Sequence, residues 1–197
     1  SYLQKINKSN VLNELGLSPG KYILLSAHRE ENIDIEVNFF SLMEAVNVMA
    51  MTYNIPVLYS CHPRSKKYID QRGFQFDQRV IQHQPLGFFD YNKLQQNAFC
   101  VVSDSGTLPE ESAFLHFPAV SVRTSTERPE ALDKGVFIIG SITVTQVLQA
   151  VEMAVEMYKS GECSCDVPAY IDDNVSTKVV KLIQSYVGVI NKMVWRK

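Results

Sequence analysis

The stretch SDSGTLPEESAF, residues 103–114, follows the apolar run AFCVV and combines a bend of small residues with two adjacent carboxylates. Small residues let backbone amides approach a ligand closely, and a helix beginning near Pro109 would add free N–H groups with partial positive charge. Two interpretations fit. In the first, Glu110 and Glu111 only complement the helix dipole, which is the commoner use of acidic residues in a first turn. In the second, residues 105–107 form a phosphate cradle, and one carboxylate accepts hydrogen bonds from both hydroxyls of a ribose.

Histidine and arginine side chains follow three other short apolar runs. His28 and Arg29 stand in HREEN, His62 and Arg64 in CHPR, and Arg128 in TERPE. Imidazole groups can do acid–base chemistry near neutral pH, and a guanidinium presents a planar fork to phosphate. Architectural interpretations stay open as well. A histidine after a strand is often a turn or cap residue, the proline of CHPR holds its loop extended, and Arg-Pro-Glu is a typical helix opening.

Several neighbours of these residues have a structural interpretation of their own. Glu30 and Glu31 would weaken an anion site, so we expect them to be solvated or paired with an arginine. Phe88, Phe89 and Tyr91 are expected in the core rather than in a platform for a base, because aromatic side chains are usually well buried.

The elements that must position these residues alternate along the chain. Short β-rich runs predict strands at residues 21–27, 55–60, 79–83, 99–103, 118–123 and 136–140. Helical patterns fall at residues 9–17, 36–53, 65–72, 90–97, 109–115, 144–159 and about 174–194. In the helix at 36–53, the residues expected on the apolar face are Val37, Phe40, Leu42, Ala45, Val48 and Met49. This alternation predicts an α/β fold with a doubly wound, Rossmann-like parallel sheet, in a single domain of residues 1–197.

The position of the polar residues relative to the strands is the strongest functional signal. In open parallel sheets, ligands bind at the carboxyl ends of the strands. HREEN, CHPR, DSGT and the RTSTERPE segment each follow a different predicted strand, so one edge of the sheet gathers histidine, arginine and glutamate from distant parts of the chain. This convergence favours a binding site over a set of ordinary loops.

Composition excludes several classes of protein. The chain has 197 residues, 46% hydrophobic and 20% charged, with a formal charge of -2, which gives no electrostatic reason to expect nucleic acid or a membrane surface as a partner. No apolar run approaches the roughly 18 residues of a membrane span. Cys61 and Cys100 are expected to be small buried residues, and Cys163 and Cys165 lack the further ligands of a zinc site. We therefore expect no metal and a reducing, cytoplasmic setting.

Together, HREEN, SDSGTLPEES and TSTERPEALDKG resemble the C-terminal domain of the non-hydrolysing UDP-N-acetylglucosamine 2-epimerases, from the first strand to the last helix. The resemblance implies one half of the two-domain glycosyltransferase-B fold. It also implies a reaction in which UDP is eliminated across C1–C2 of the sugar and re-added with inversion at C2, without metal or nicotinamide. The partners implied are a UDP-sugar and an N-terminal domain of the same enzyme, which is usually a homodimer.

The resemblance also implies roles for particular residues. His28 would be the catalytic histidine of this domain, near the diphosphate. Glu111 would bind the ribose hydroxyls, and Tyr91 would lie at the aromatic position near the uracil. The remaining residues implied to bind UDP are Arg29, His62, Arg64, Ser105, Gly106, Thr107 and Arg128.

Three departures from the usual family pattern bear on the substrate. Arg29 is followed by Glu30 rather than by a second basic residue, HPR replaces a His-Leu-Asn-Pro type of loop, and Thr107 replaces a second glycine. These changes weaken the expectation that a second substrate molecule acts as an activator. They are similar to the branch that acts on deoxy or diacetamido sugars, so the particular UDP-sugar stays open.

Other functions fit parts of the same pattern. The donor-binding half of a glycosyltransferase uses a similar sheet edge, a hydrolysing epimerase would release free sugar, and a nucleotide-sugar sensor would need no catalysis. The carboxylates that transfer the C2 proton in the family lie in an N-terminal domain outside this chain. We therefore expect this chain to bind UDP weakly and not to epimerise alone.

Overall fold

All the predicted strands are present in the computed structural model of the chain, which describes residues 2–161 and 167–197. They are β1 (Ile23–Ser26), β2 (Val57–Ser60), β3 (Val80–His83), β4 (Cys100–Ser103), β5 (Ala119–Ser121) and β6 (Ile138–Ile139). All neighbouring strands are parallel, in the order β3-β2-β1-β4-β5-β6. The strand order reverses between β1 and β4, which makes their carboxyl ends the switch point where such sheets bind ligands. The predicted α/β fold is confirmed.

The sheet is buried on both faces, as continuously apolar strands require. Ile23 and Leu25 of β1 pack into one large cluster with residues of the long helices on that face, and Leu24 between them is also fully buried. Because successive side chains of a strand point to opposite faces, Leu24 must be covered from the other side. β3 is less buried, as expected for a strand at the edge of the sheet.

Beyond the start of the chain, the helices follow the predicted pattern closely. In chain order, the helices are α1 (Tyr2–Lys8), α2 (Val11–Glu14), α3 (Glu30–Ile33), α4 (Glu36–Tyr53), α5 (Pro63–Arg72), α6 (Phe88–Asn97), α7 (Leu108–Leu115), α8 (Pro129–Leu132), α9 (Val144–Ser160) and α10 (Val175–Met193). A short 3-10 turn also occurs at Pro168–Tyr170. α4 has the predicted bounds, and the typical Arg-Pro-Glu opening does begin a short helix, α8.

The start of the chain differs from the prediction. The helix expected over residues 9–17 is reduced to α2, and α1 precedes it. α1 has only seven residues, a length at which local propensity alone is insufficient. It packs against α6, where Ile6 is buried and Tyr2 contacts the ring of Phe89 with centroids 5.8 Å apart. Tertiary contacts, which the local pattern does not show, therefore stabilise this helix.

The apolar face of α4 was predicted partly wrongly. Val37 and Phe40 are 78% and 38% exposed. The buried residues are Phe39, Leu42, Met43, Ala45, Val46, Met49 and Ala50. The helix is apolar over much of its circumference, so residue type alone selects the buried stripe poorly. Packing against α9 and the sheet determines which side is covered.

By its internal contacts the chain divides into two compact units, Ser1–Asp166 and Val167–Lys197. The first contains the sheet, and the second contains the 3-10 turn and α10, whose residues are all exposed. Cys163 and Cys165 lie outside the described residues, whereas Cys61 and Cys100 are free and buried as predicted. The assignment of residues 1–197 to one domain stays a prediction.

Candidate functional site

Asp104 links the two loops at the switch point of the sheet. It follows β4 directly and is fully buried. Its Oδ2 atom accepts hydrogen bonds from the backbone amides of His28 and Arg29, both at 2.9 Å, and from the side-chain amide of Asn32 at 3.1 Å. Asn32 also donates to the carbonyl of Val122 after β5, at 2.9 Å. The loops after β1, β4 and β5 are therefore held together around one buried carboxylate.

His28 and His62 lie side by side above this carboxylate, although β1 and β2 carry them from separate parts of the chain. Their ring centroids are 5.2 Å apart and the ring planes are inclined by 31°. Nδ1 of His28 lies 3.6 Å from Oδ1 of Asp104. Nδ1 of His62 accepts a hydrogen bond of 3.2 Å from the backbone amide of Arg64 at the start of α5, so His62 is also a helix cap. The predicted proximity of the two histidines is present, and His62 has the architectural role as well.

Arg64 is already paired with carboxylates. It binds both oxygens of Asp34, at 2.9 and 2.6 Å, and Glu30 at 3.0 Å. The hydrogen bond from Arg64 lowers the pKa of Asp34, and the same contact raises that of the arginine. Arg64 would have to exchange a partner to bind a nucleotide, so its role in UDP binding stays a prediction.

Arg29 pairs at 3.1 Å with Glu31, which lies two positions further along in α3. Glu30 and Glu31 are thus each paired with an arginine, as the sequence led us to expect. These pairs are partly exposed and are of low strength, since solvent screens them. An anionic ligand could therefore displace Glu31 from Arg29 at small cost.

The bend after β4 is closed by hydrogen bonds between its own residues. Ser105 and Thr107 hydrogen-bond to each other through their hydroxyl groups at 3.0 Å, and the amide of Thr107 contacts the hydroxyl of Ser105 at 3.3 Å. Between them, a Cβ atom added to Gly106 would meet nothing within 4 Å. Packing therefore does not explain the glycine, whereas open space next to the start of α7 is what a phosphate group needs.

Glu110 and Glu111 at the start of α7 are engaged differently. Glu111 accepts hydrogen bonds from Gln95 at 2.5 Å and from Thr107 at 2.8 Å, and burial raises its pKa above the ordinary value in spite of them. Glu110 forms an ion pair with Arg128, while its Oε2 atom is buried and has no hydrogen-bond partner in the described part of the chain. Both carboxylates thus do more than complement a helix dipole. The assignment of Glu111 to the ribose stays a prediction.

The aromatic residues at the start of α6 do not share one environment. Phe88 is 59% exposed, so its assignment to the core was wrong: it lies beside Tyr2 at the surface. Tyr91 turns inward, where its hydroxyl interacts with the side chains of Ser26 and Ser103 at the ends of β1 and β4, and burial raises its pKa. Tyr91 is therefore next to the switch point, and its contact with uracil stays a prediction.

Arg123 is a site residue that sequence reasoning missed. It follows β5, only 6% of its side chain is exposed, and it binds both oxygens of Glu127 at 2.8 and 2.6 Å. This contact lowers the pKa of Glu127 to about 2. The pair closes the loop that carries Arg128 toward Glu110. The sequence signal was an arginine at the end of an apolar run with a glutamate four positions later. That spacing usually indicates an ion pair on a helix, whereas here both residues lie in a loop.

Metal-binding groups and membrane-spanning helices can be assessed for the described residues only. Within residues 2–161 and 167–197, no group of three or more histidine, cysteine or acidic side chains could hold a metal ion. None of the helices described there has the length and apolar character needed to cross a bilayer.

The fold and the site define an α/β domain of the doubly wound type, whose switch point carries neighbouring histidines and ion-paired arginines. The sequence profile of the family described as UDP-N-acetylglucosamine 2-epimerase matches residues 1–184 of this chain. The chain therefore belongs to that family.

Individual relatives agree with this assignment. The structure of UDP-N-acetylglucosamine 2-epimerase from Rickettsia bellii is 34% identical, with a TM-score of 0.78 over 100% of this chain and 53% of that one. The structure of the Methanocaldococcus jannaschii enzyme in complex with UDP-GlcNAc and UDP has a TM-score of 0.77, covering 94% of this chain and 51% of that one; at 23% identity it shows the fold alone.

Two curated relatives differ in the substrate that their names give. The UDP-N-acetylglucosamine 2-epimerase of Methanococcus maripaludis is 32% identical over 67% of this chain and 37% of its own. The UDP-2,3-diacetamido-2,3-dideoxy-D-glucuronate 2-epimerase of Pseudomonas aeruginosa is 27% identical over 76% of this chain and 44% of its own. The chain thus spans less than half the length of these relatives. Its fold corresponds to one half of the glycosyltransferase-B type structure of its neighbours.

Proposed function

We propose that this chain is the UDP-binding half of a non-hydrolysing epimerase that inverts C2 of UDP-N-acetylglucosamine or of a related UDP-2-acetamido sugar. The match to the family over residues 1–184 carries this proposal. It is supported by the gathering of His28, the 105–107 bend and Arg128 around the switch point between β1 and β4.

In this mechanism the domain binds the leaving group. A base removes the C2 proton while the C1–O bond breaks, so that UDP departs with the bonding electrons and a 2-acetamidoglucal remains. UDP then returns to C1, and C2 is protonated on the opposite face. Charge develops on the diphosphate as the C1–O bond breaks, so donors fixed around it would lower the barrier.

The contacts that we propose are the roles implied by the family resemblance, and the positions of the side chains support them. The bend at residues 105–107 and Arg128 bind the diphosphate, with Arg29 joining them when it leaves Glu31. Glu111 binds the ribose, and uracil lies against the loop before α6 near Tyr91. His28, with His62 beside it, faces the diphosphate as the catalytic group of this domain.

The rest of the enzyme is also part of the proposal. An N-terminal domain of the same protein supplies the carboxylates for the C2 proton, and the intact enzyme is a homodimer. We further propose a cytoplasmic setting, which is compatible with the two free, buried cysteines of the described chain.

A thermal-shift titration of this chain with UDP tests the binding proposal. We expect UDP at millimolar concentration to raise the melting temperature, since a ligand that binds only the folded state stabilises it by mass action. Uridine should have a smaller effect because it lacks the diphosphate. Absence of any stabilisation by UDP would contradict the proposal.

Gly106→Ala gives a sharp variant for the same titration. A Cβ at this position meets no protein atom within 4 Å, so the variant should fold like the wild-type chain and lose most of the stabilisation by UDP. The matched control is Gly188→Ala in α10, where the added Cβ is equally unhindered and which should respond to UDP like the wild-type chain. An unchanged response of Gly106→Ala would show that the cradle does not hold phosphate.

A further inference from the structure

We propose that Asp104 is a positioning residue that fixes the tautomer of His28, so that the two neighbouring imidazoles present opposite hydrogen-bonding groups to the ligand. The inference rests on the proposed function, because it assigns complementary roles to the histidines of that same site. Unlike the other residues of the DSGT bend, Asp104 was assigned no role on the basis of the sequence.

The two oxygens of Asp104 have different surroundings. Oδ2 accepts all three hydrogen bonds that hold the loop after β1. Oδ1 is buried and has no hydrogen-bond partner among the described residues, and it lies 3.6 Å from Nδ1 of His28. A buried carboxylate oxygen without a donor is costly, and an N–H on Nδ1 of His28 can satisfy it.

A distance of 3.6 Å is longer than a hydrogen bond, but the geometry requires little to close it. Catalytic hydrogen bonds are often long in the absence of a ligand and shorten when the site is occupied. The His28 side chain is 43% exposed, so its ring has room to turn toward the carboxylate. When Nδ1 carries the proton and faces Asp104, Nε2 has a free lone pair and can accept a hydrogen bond or a proton.

His62 is fixed in the opposite tautomer. Its Nδ1 atom accepts the 3.2 Å hydrogen bond from the amide of Arg64, so this nitrogen cannot carry a proton while the cap is intact. In the neutral ring the proton then lies on Nε2, which becomes a donor. With ring centroids 5.2 Å apart, the pair offers one acceptor and one donor within the same site.

The other carboxylates near His28 do not compete for this role. Glu31 is paired with Arg29, and Glu30 and Asp34 are paired with Arg64. Asp104 is therefore the carboxylate whose unpaired oxygen can orient the imidazole.

Asp104→Asn separates the two functions of this carboxylate. Three N–H donors point at the Oδ2 position, so the amide oxygen of asparagine should take that place and keep the loop anchored. Its NH2 group then replaces Oδ1 and donates to Nδ1 of His28, which moves the ring proton to Nε2. The variant thus reverses the tautomer without removing the anchor.

Imidazole nitrogen chemical shifts in long-range 1H–15N correlation spectra measure the tautomers directly, at alkaline pH where the rings are neutral. The chain has four histidines, and spectra of His28→Gln and His62→Gln assign the two relevant ones. We expect the Nδ1–H form for His28 and the Nε2–H form for His62 in the wild-type chain, and the Nε2–H form for His28 in Asp104→Asn. Asp70→Asn, which removes an exposed carboxylate paired with Lys66 on α5, should change neither ring.

The outcomes separate this inference from the proposed function. An Nε2–H form of His28 in the wild-type chain would overturn the inference, even if Asp104→Asn failed to fold. An unchanged His28 tautomer in a folded Asp104→Asn variant would also overturn it. A chain with the expected tautomers but no response to UDP would contradict the proposed function and leave the role of Asp104 intact.

Discussion

At the scale of single residues, Glu111 has opposite effects on stability and on the proposed binding. Burial raises its pKa in the folded chain, so the native state keeps its proton over a pH range in which the unfolded chain has lost it. The free energy of unfolding must therefore fall as pH rises from the unfolded value of about 4.3 through the raised folded value. At neutral pH the ionised carboxylate is a cost to the fold, and hydrogen bonds to a ribose would compensate for it.

Glu111→Gln tests this opposition. We expect the variant to lose the described pH dependence and to be more stable than the wild-type chain at neutral pH without ligand, as measured by thermal unfolding between pH 4 and 8. Because hydrogen bonds to a charged group contribute about 1.5–3 kcal/mol, the dissociation constant for UDP should rise roughly 10- to 100-fold. Glu36→Gln, at the exposed start of α4, is the control for loss of one charge. Unchanged affinity for UDP in Glu111→Gln would assign the ribose to another group.

The residue types of the site could be predicted from the sequence, but their pairing could not. His28, the 105–107 bend and Glu111 were singled out because small, basic and acidic residues follow strands. Asp104 was overlooked since its partners are backbone amides 75 and 76 positions away, which leave no local signal. The pairs Arg64–Asp34 and Arg123–Glu127 likewise depend on how loops fold over each other.

At the scale of elements, the strands were predictable because most of them are short apolar runs between turn residues. The helices α1 and α3 were not, because they are short and depend on contacts with distant residues. The sequence of residues 30–33 is typical of a polar loop. In the structure these residues form a helical turn, which the hydrogen bonds of Asn32 to Asp104 and Val122 stabilise. Local pattern thus describes the framework of the sheet, and tertiary contacts shape the loops that carry the site.

Packing between β6, β5 and α9 makes a prediction at this scale. A Cβ on Gly140 would lie 2.7 Å from Cγ1 of Val120 and 3.0 Å from Cβ of Ala150. We expect Gly140→Ala to lower the free energy of unfolding by about 1–3 kcal/mol, because a filled core must shift to accept the methyl group. Chemical denaturation measures this change.

Val120→Ala removes the closest obstacle and provides the control for that prediction. In a double-mutant cycle, the cost of Gly140→Ala should be smaller in the Val120→Ala background than in the wild-type chain. Equal costs in the two backgrounds would show that the contact with Val120 does not limit the packing.

At the scale of the whole molecule, the site has donors for a leaving group, and each of its carboxylates has at least one partner. Those at this edge of the sheet with partners in the described chain are Glu30, Glu31, Asp34, Asp104, Glu110, Glu111 and Glu127. Removal of a proton from a sugar carbon requires a base that can reach that carbon, and Oδ1 of Asp104 and Oε2 of Glu110, which have no hydrogen-bond partner in the described part of the chain, are buried. Since the chain spans less than half the length of the curated relatives, the proposal places that base in the rest of the enzyme.

We therefore expect this chain alone to bind UDP without exchanging the C2 proton of UDP-N-acetylglucosamine. Proton NMR in deuterated water measures both the loss of the C2 signal and the appearance of the C2 epimer, and a full-length relative serves as the positive control. Exchange of the C2 proton by this chain would show that a group within it acts as the base, and His28 would be the first candidate. In that case we would expect Asp104→Asn to slow the exchange. Exchange by the relative and none by this chain, together with stabilisation by UDP, would locate the leaving-group site here and the proton-transfer groups elsewhere in the enzyme.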